Sequence, residues 1–244
     1  MKTIYTLLFF VLSSLIVYSQ NKITKSYPVK AGQEISLHFD YPKMIKVSSW
    51  DKNEISIIAT VSTEDGKHVD AFSLRDSLVN NTISIRNEID WEKIPNQYFV
   101  VMNGTKTSFA TKQDFENCKK ENSSLVNASF YTQRNFTVYL EVKVPSSNFS
   151  TIKSIYGMIE LIDFKAPSAI EATYGSIDAS MNESQIGKIK LTNRFGKIYS
   201  NLQLIATEKK DSSYFTSITA EPGKGPSYDL SSSYGNIYLR KSNR

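Results

Sequence analysis

A four-residue pattern recurs in the second half of the chain: an aromatic residue, a glycine, a variable residue and an isoleucine. Successive copies begin 18, 21 and 39 residues apart, and the last interval is close to twice the others. At the skipped position stands a fifth copy in which threonine replaces the glycine. A regular period is typical of repeat architectures, since each unit must fill the same column of the core. The five copies are Tyr156-Gly157-Met158-Ile159, Tyr174-Gly175-Ser176-Ile177, Phe195-Gly196-Lys197-Ile198, Phe215-Thr216-Ser217-Ile218 and Tyr234-Gly235-Asn236-Ile237.

A period of about 20 residues predicts a parallel β-solenoid, a β-helix-like fold, over residues 134–244. Each coil would carry two or more short strands, and Ile186-Gly187-Lys188-Ile189 supplies a half-copy of the pattern. The glycine permits a sharp turn or a close approach to a neighbouring coil, and the rings can stack in a ladder along the axis. The alternative is an ordinary antiparallel meander with repeated turns.

The composition is that of an all-β chain. Aromatic residues make up 12% of the sequence, which has only 10 Gly and 7 Pro, and such usage favours strands over helices. Alternating apolar residues in 34–40 and 55–61 predict half-buried strands, which we interpret as a strand meander over residues 20–90. Residues 91–133 are mostly polar and are predicted to form an exposed insertion, with a hairpin at Asn103-Gly104.

Residues 1–19 are typical of a secretory signal peptide. Lys2 precedes an apolar run from Ile4 to Val17, and Ser19 suits cleavage before Gln20. The apolar run has about 14 residues, short of the roughly 20 that a membrane-spanning helix needs. A retained membrane anchor is the alternative, and we expect no transmembrane segment after cleavage. The sequence therefore predicts an exported protein, located in the periplasm or at the cell surface.

Charge and ligand composition exclude several function classes. The chain has 29 Lys and Arg against 24 Asp and Glu, interspersed along its length, and this pattern disfavours nucleic-acid binding. Two His and one Cys exclude a Cys/His zinc cluster, an internal disulfide and a multi-His metal centre. We therefore predict no cofactor and no metal, and we interpret Cys118 as an unpaired structural thiol.

The usual catalytic motifs do not occur in the sequence. It has no Gly-x-Ser-x-Gly, no His-Glu-x-x-His and no phosphate-binding loop. His38 alternates with apolar neighbours and is predicted to face solvent, while His68 is predicted to lie in a turn. We therefore predict that the protein is not an enzyme.

Two sets of residues leave a binding or catalytic role open. Glu160 and Asp178 follow the repeat isoleucine in adjacent copies, so they should stack about 5 Å apart, with Glu171 as a further carboxylate. We interpret them as solvent-facing polar residues, and a catalytic or cation-binding pair is the alternative. Tyr199 and Tyr238 could stack on sugar rings, or they could serve as structural ladder rings.

Two stretches outside the repeats, together with the repeats, carry a family resemblance. Val142-Lys143-Val144-Pro145 ends the strand before the first copy, and Phe39-Asp40-Tyr41-Pro42 leads into Ile45-Lys46-Val47 and then Trp50-Asp51. Most of the chain after residue 20 resembles the bacterial putative-adhesin β-strand-repeat family, which has no known function and is related to autotransporter adhesin head domains. The signal peptide is similar to those of the Bacteroidetes. The polar insertion and Thr216 depart from the family pattern.

These observations predict an exported, non-enzymatic β-solenoid whose stacked coils form a rigid surface. That surface would serve adhesion or an envelope partner, with a glycan as one candidate ligand. A glycan-binding or glycan-cleaving β-helix is one alternative, and a periplasmic scaffold or sensor is another. The N-terminal meander and residues 240–244 are expected to cap the open ends of the stack.

Overall fold

The computed structural model describes residues 21–63, 66–122 and 127–242. Over these residues the chain is all-β, with twenty strands and one α-helix. The predicted signal peptide lies outside the described residues. Within the described ranges, no helix combines the length and the apolar character needed to cross a membrane.

The elements of the first part of the chain are β1 (Asn21–Pro28), β2 (Glu34–Phe39), β3 (Met44–Trp50), β4 (Glu54–Thr63), β5 (Phe72–Val79), β6 (Thr82–Ile89), β7 (Gln97–Met102), β8 (Thr105–Phe109), α1 (Lys112–Glu121), β9 (Ala128–Gln133) and β10 (Phe136–Pro145). Those of the second part are β11 (Ser150–Ser154), β12 (Met158–Leu161), β13 (Ser168–Ala172), β14 (Ile177–Met181), β15 (Lys188–Asn193), β16 (Ile198–Ser200), β17 (Ala206–Ser212), β18 (Phe215–Ala220), β19 (Ser227–Ser232) and β20 (Ile237–Lys241).

Two large sheets contribute to one hydrophobic core. The first sheet has eight strands in the order β1-β4-β10-β3-β12-β14-β20-β16. The second has nine, in the order β5-β6-β2-β11-β13-β19-β15-β18-β17. Side chains alternate between core and solvent along each strand, as in β4, where Ile55, Ile57, Ala59 and Val61 are buried. The all-β prediction is confirmed, but both sheets mix parallel and antiparallel pairs, so a purely parallel solenoid is not.

Five rungs form the centre of the molecule, each made of one strand of the second sheet followed by one strand of the first. In spatial order the rungs are β2-β3, β11-β12, β13-β14, β19-β20 and β15-β16. Neighbouring rungs pair in parallel in both sheets. The repeat isoleucines consequently fall in register, and one column of the core contains Ile45, Ile159, Ile177, Ile237 and Ile198.

The order of the rungs in space differs from their order in the sequence. The last copy, in β19-β20, lies between β13-β14 and β15-β16. The loop that leaves β14 and the loop that enters β19 meet closely on the way. A Cβ atom added to Gly187 would overlap the carbonyl oxygen of Gly225, and one added to Gly225 would overlap that of Gln185. Glycine is needed here because the two backbones touch.

Two predictions about strand arrangement are wrong. The N-terminal strands do not form a meander, because among β1 to β6 only β5 and β6 pair as neighbours in the sequence: β1 pairs with β4, β2 with β6 and β3 with β10. Phe215 and Ile218 do not form a repeat copy in the stack. They lie in β18, which pairs antiparallel with β15 and β17, and Thr216 supplies a side chain where the other copies have glycine.

N-terminal strands cover one end of the rung stack, as expected, whereas the C-terminal residues do not cover the other. Arg240 and Lys241 lie in β20, which has β14 on one side and β16 on the other, so they do not cap an end. At one end the sheets continue into β10-β4-β1 and β6-β5, and at the other end only the second sheet continues, into β18-β17. At this second end the covering strands come from within the chain, because the last copy occupies an interior position.

Residues 91–122 and 127–133, predicted as part of an exposed insertion, are mostly exposed and fold as a small unit. β8, β7 and β9 form a third, antiparallel sheet, and the predicted hairpin at Asn103-Gly104 is confirmed, with φ of 51° and 80°. Helix α1 starts after Thr111, whose hydroxyl accepts a hydrogen bond from the Asp114 amide. Its buried Phe115 packs against three rings of the sheet, those of Tyr98, Phe109 and Phe130.

Candidate functional site

A ladder of five stacked rings runs along one edge of the rung stack. Each ring lies at the turn between the two strands of a rung, and neighbouring centroids are 5.0 to 5.6 Å apart with interplanar angles of 8° to 20°. The spacing follows from the separation of adjacent strands, about 4.8 Å. In order along the stack the ring ladder consists of Tyr41, Tyr156, Tyr174, Tyr234 and Phe195.

The ladder exposes ring edges, whereas its ring faces are occupied by neighbours. Tyr156, Tyr174 and Tyr234 each have a stacked ring on both sides, although the ladder residues are 48 to 57% exposed. Trp91 packs at 85° against Tyr41 at one end, and Tyr214 lies against Phe195 at the other. A sugar stacks on a ring face. The three inner rings therefore serve to hold neighbouring rungs together.

A column of glycines accompanies the ring ladder. A Cβ atom on Gly175 would overlap the carbonyl oxygen of Gly157, one on Gly235 that of Gly175, and one on Gly196 that of Gly235. Gly157 makes the same approach to the carbonyl of Pro42. Each repeat glycine is thus needed because the backbone of the neighbouring rung leaves no room for a side chain.

Tyr41 is the ladder member that the sequence pattern missed. Its rung contains Tyr41-Pro42-Lys43-Met44-Ile45. Three residues, instead of two, separate the ring from the isoleucine, and proline stands where the other copies have glycine. The register Met44↔Met158 and Ile45↔Ile159 nevertheless aligns it with them. A search that tolerated one inserted residue could have found it.

The predicted carboxylates are each paired with a cation. Glu160 and Asp178 are register partners on adjacent strands, as expected. Lys46 Nζ lies 3.7 Å from Glu160 Oε2, and Arg240 Nε lies 2.8 Å from Asp178 Oδ1. The hydrogen bond to Asp178 raises the pKa of the Arg240 guanidinium. These pairs form a charge-balanced row along the outer face of the first sheet.

Glu171 lies apart from that pair, on the outer face of the second sheet. Its carboxylate is 2.9 Å from Lys153 Nζ, and the two residues are register partners on β13 and β11. The structure therefore does not bring the three predicted carboxylates together.

Tyr199 and Tyr238 stack directly on each other. Their centroids are 5.2 Å apart at 8°, and they are register partners on β16 and β20. The Arg240 guanidinium lies 5.5 Å from the centroid of Tyr238. This short second stack ends at β16, the edge strand of the first sheet.

The histidines and the cysteine lie in three separate places. His38 is half-exposed on β2, with Nε2 2.9 Å from Asp40 Oδ1. His68 has a φ of 60° and precedes a single turn of 3-10 helix, and Cys118 is a free thiol on α1, 3.6 Å from Asn122 Nδ2. No three Cys, His, Asp or Glu side chains cluster as metal ligands in the described parts of the chain.

A basic row that the sequence analysis missed crosses the outer face of the second sheet. These residues are register partners on neighbouring strands. Arg75 on β5 lies opposite Arg86 on β6, Arg86 lies opposite His38 on β2, and His38 lies opposite Lys153 on β11. A row of hydroxyl side chains runs parallel to the basic row, two residues away from it along each strand. The basic row is Arg75, Arg86, His38 and Lys153, and the hydroxyl row is Ser77, Ser84, Ser36 and Thr151.

A shallow hollow of about 280 Å³ opens between the first three members of the two rows. Both arginines share one carboxylate: Glu88 Oε2 accepts from Arg75 Nε at 2.9 Å, and Glu88 Oε1 from Arg86 Nη2 at 3.3 Å. These bonds, that of Arg75 first, lower the pKa of the Glu88 carboxyl. The two guanidinium groups and Glu88 thus have one positive charge in excess, while the neighbouring Asp40 carboxylate pairs with His38 at 2.9 Å.

A larger cleft of about 570 Å³ lies at the crossing of the β14 and β19 loops. Tyr228 is one of the residues that line this cleft. Its buried hydroxyl donates a hydrogen bond to the carbonyl oxygen of Phe164 at 3.2 Å. Burial raises the pKa of Tyr228 to about 12. Met181 and Ile186 add apolar contacts, while Lys165 and Lys224 add charge at the rim.

Comparison with known proteins finds no matching protein-family model and no matching curated protein. A solved structure of a putative cell adhesion protein from Clostridium sporogenes is similar with a TM-score of 0.46 at 8% identity, covering 91% of this chain and 99% of that one. A putative adhesin from Bacteroides fragilis has a TM-score of 0.23 at 11% identity, with coverage of 91% and 98%. Because both scores lie below 0.5, function has to be inferred from the geometry of this chain.

Proposed function

We propose that the protein is an exported, non-enzymatic interaction module that acts in adhesion at the cell surface. The rungs act as stacked, solenoid-like coils, and their flat outer faces are the interaction surface. One observation carries the proposal. Five rungs in unbroken register present polar side chains in straight rows, so the spacing of recognition groups is fixed by the backbone.

The rigidity of this surface supports binding. Ring stacking and glycine contacts fix each rung against the next, and a partner therefore meets side chains whose positions are already ordered. A preorganised surface loses less conformational entropy on binding than a flexible one. The rows repeat at the strand spacing of about 4.8 Å, which suits an extended partner with its own repeating chemistry.

The glycan-cleaving alternative has less support. A glycosidase needs two carboxylates in different roles, one of them protonated to act as an acid. Glu160 and Asp178 are instead both held in ion pairs, with Lys46 and Arg240. We expect no release of reducing ends from any glycan, and an activity that E160A/D178A abolishes would overturn the non-enzymatic assignment.

Protease accessibility on intact cells tests the adhesion role. The native protein should be digested on intact cells to the same extent as in lysed cells, while a periplasmic marker stays protected. Protection of the protein until lysis would contradict a surface role and favour the periplasmic scaffold.

A further inference from the structure

We propose that the hollow between the basic row and the hydroxyl row binds an anionic group of an acidic polysaccharide. The inference deepens the proposed function, since it names the chemical class of the partner. Its parts are two arginines, one imidazole and three serine hydroxyls that the register of β5, β6 and β2 brings together.

The unfavourable placement of like charges is the first argument. Arg75 and Arg86 are direct cross-strand partners, an arrangement that is destabilising for like charges. Glu88 balances one of the two charges. A bound carboxylate or sulfate would balance the other, and the planar guanidinium offers paired N–H donors that match such a group.

The hydroxyl row is the second argument. Within the described part of the chain, the hydroxyls of Ser36, Ser77 and Ser84 have no hydrogen-bond partner in the protein. All three point to the same side of the sheet as the arginines, because they are register partners two residues away along the same strands. Hydroxyls that can donate and accept are suited to sugar hydroxyls beside an anionic substituent.

Asp76, although it borders the hollow, is directed to the other side of the sheet. It is the register partner of the buried Ile85, and its charge acts on Tyr27 of β1, where it helps burial to raise the pKa of the tyrosine. Asp76 therefore does not offset the charge of the arginines on the solvent side of the hollow.

Charge density separates a polysaccharide from a nucleic acid. Duplex DNA carries one charge per about 1.7 Å, far more than one excess positive charge can match. The hollow also lacks an aromatic ring on which a base could stack. An acidic polysaccharide, with its anionic groups separated by neutral sugar atoms, fits the single excess charge and the hydroxyls together.

Binding of defined polymers to the purified mature chain tests the inference. Polygalacturonate supplies carboxylates, heparin supplies sulfates, and dextran is the neutral control. We expect one or both acidic polymers to bind and dextran not to bind. R75A/R86A should weaken binding by at least about 10-fold, as expected for loss of charge-assisted hydrogen bonds.

The matched control is K188A/K190A, which removes two positive charges from the same face of the same sheet, on β15. It should change affinity by less than about 2-fold, because these lysines lie at the far end of the sheet and pair with Glu221 and Asp229. S77A/S84A, which leaves the charge unaltered, should weaken binding by about 3- to 10-fold. That variant keeps the test valid if R75A/R86A fails to fold in a thermal melt.

Three results would overturn the inference: no binding of either acidic polymer, equal loss in R75A/R86A and K188A/K190A, or binding of duplex DNA as tight as that of the polymers. Failure here and failure of the adhesion role are distinguishable. Polymer binding is measured on purified protein and does not depend on where the protein lies in the cell.

Discussion

At the scale of single residues, the repeat pattern is explained by contacts between rungs. The aromatic ring stacks on the ring of the next rung, the isoleucine fills the shared core, and the glycine lets two backbones touch. Glycine is often needed where φ is positive, but none of the four repeat glycines has a positive φ. Close approach, and not backbone conformation, selects glycine.

Gly175→Ala should lower the free energy of unfolding by about 2 kcal/mol, since its Cβ would force β14 away from the carbonyl of Gly157. Lys197→Ala is the matched control, because this exposed side chain occupies the next position of the same turn in another rung. It should change stability by less than about 0.5 kcal/mol. Urea denaturation of both variants measures the difference, and equal losses would contradict the close-approach explanation.

The buried Tyr228 predicts how stability depends on alkaline pH. Its folded-state pKa is about 12, above the value of about 10 in an unfolded chain. As pH rises through that interval the unfolded state loses its proton first, so this tyrosine's contribution to stability falls from about pH 10 and levels off above about pH 12.

Tyr228→Phe isolates that contribution. At pH 8 it should cost about 1 to 2 kcal/mol, because the Phe164 carbonyl loses its donor. The gap in unfolding free energy between wild type and variant should shrink between pH 8 and pH 11, since only the wild type carries the ionisable group. Urea titrations at both pH values measure the gap, and a constant gap would exclude a raised pKa.

At the scale of elements, the rung is the unit of the fold, and its place in space is decided by its partners. β19-β20 is last in the sequence and fourth in the stack. It pairs with β13 and β15 in the second sheet and with β14 and β16 in the first. The rung of β15-β16 therefore reaches the rest of the stack only through the strands that follow it in the sequence.

Truncation after Pro226, which removes β19 and β20, should consequently abolish the cooperative unfolding transition, because it removes an interior rung. The matched control replaces residues 207–219, most of β17-β18, with Gly-Gly, which can join Ala206 to its register partner Ala220. That variant keeps all five rungs and should unfold cooperatively. Circular dichroism melts compare the two, and a cooperative truncation variant would contradict the interior position of β19-β20.

At the scale of the whole molecule, the two sheets present different outer faces. The first sheet carries charge-balanced pairs such as Lys46 with Glu160 and Arg240 with Asp178. The second sheet carries the basic row, in which Arg75 and Arg86 share Glu88. Two arginines that share one carboxylate thus distinguish the second face from the paired charges of the first.

Sheet edges are also arranged at this scale. β16 has three residues, β17 has Lys209, Lys210 and an irregular register next to Ala206, and β1 ends at Pro28. Short edge strands, lysines and proline all discourage pairing with further strands. These three edges of the two large sheets are therefore protected against strand addition.

Part of the candidate site could be predicted from the sequence. The register of Glu160 with Asp178 follows from repeat copies with a common period. The direct stacking of Tyr199 on Tyr238 does not, since the copy at Phe215 was expected between them. The cations beside those carboxylates could not be predicted, since Lys46 and Arg240 come from strands far away in the chain. Arg75, Arg86 and His38 were missed for the same reason, because they meet only through the pairing of β5, β6 and β2.

The sequence by itself determined the all-β class, the alternation of core and solvent residues, the hairpin at Asn103-Gly104 and the ring and glycine positions of four rungs. These are local or periodic properties, and a side-chain period of two or a repeat of about 20 residues can be read from the chain alone. Tertiary structure decided which strands pair, the interior place of β19-β20, the aromatic core around Phe115 and the basic row. Those features depend on contacts between distant residues, and many pairings satisfy the same local pattern until the common core selects one.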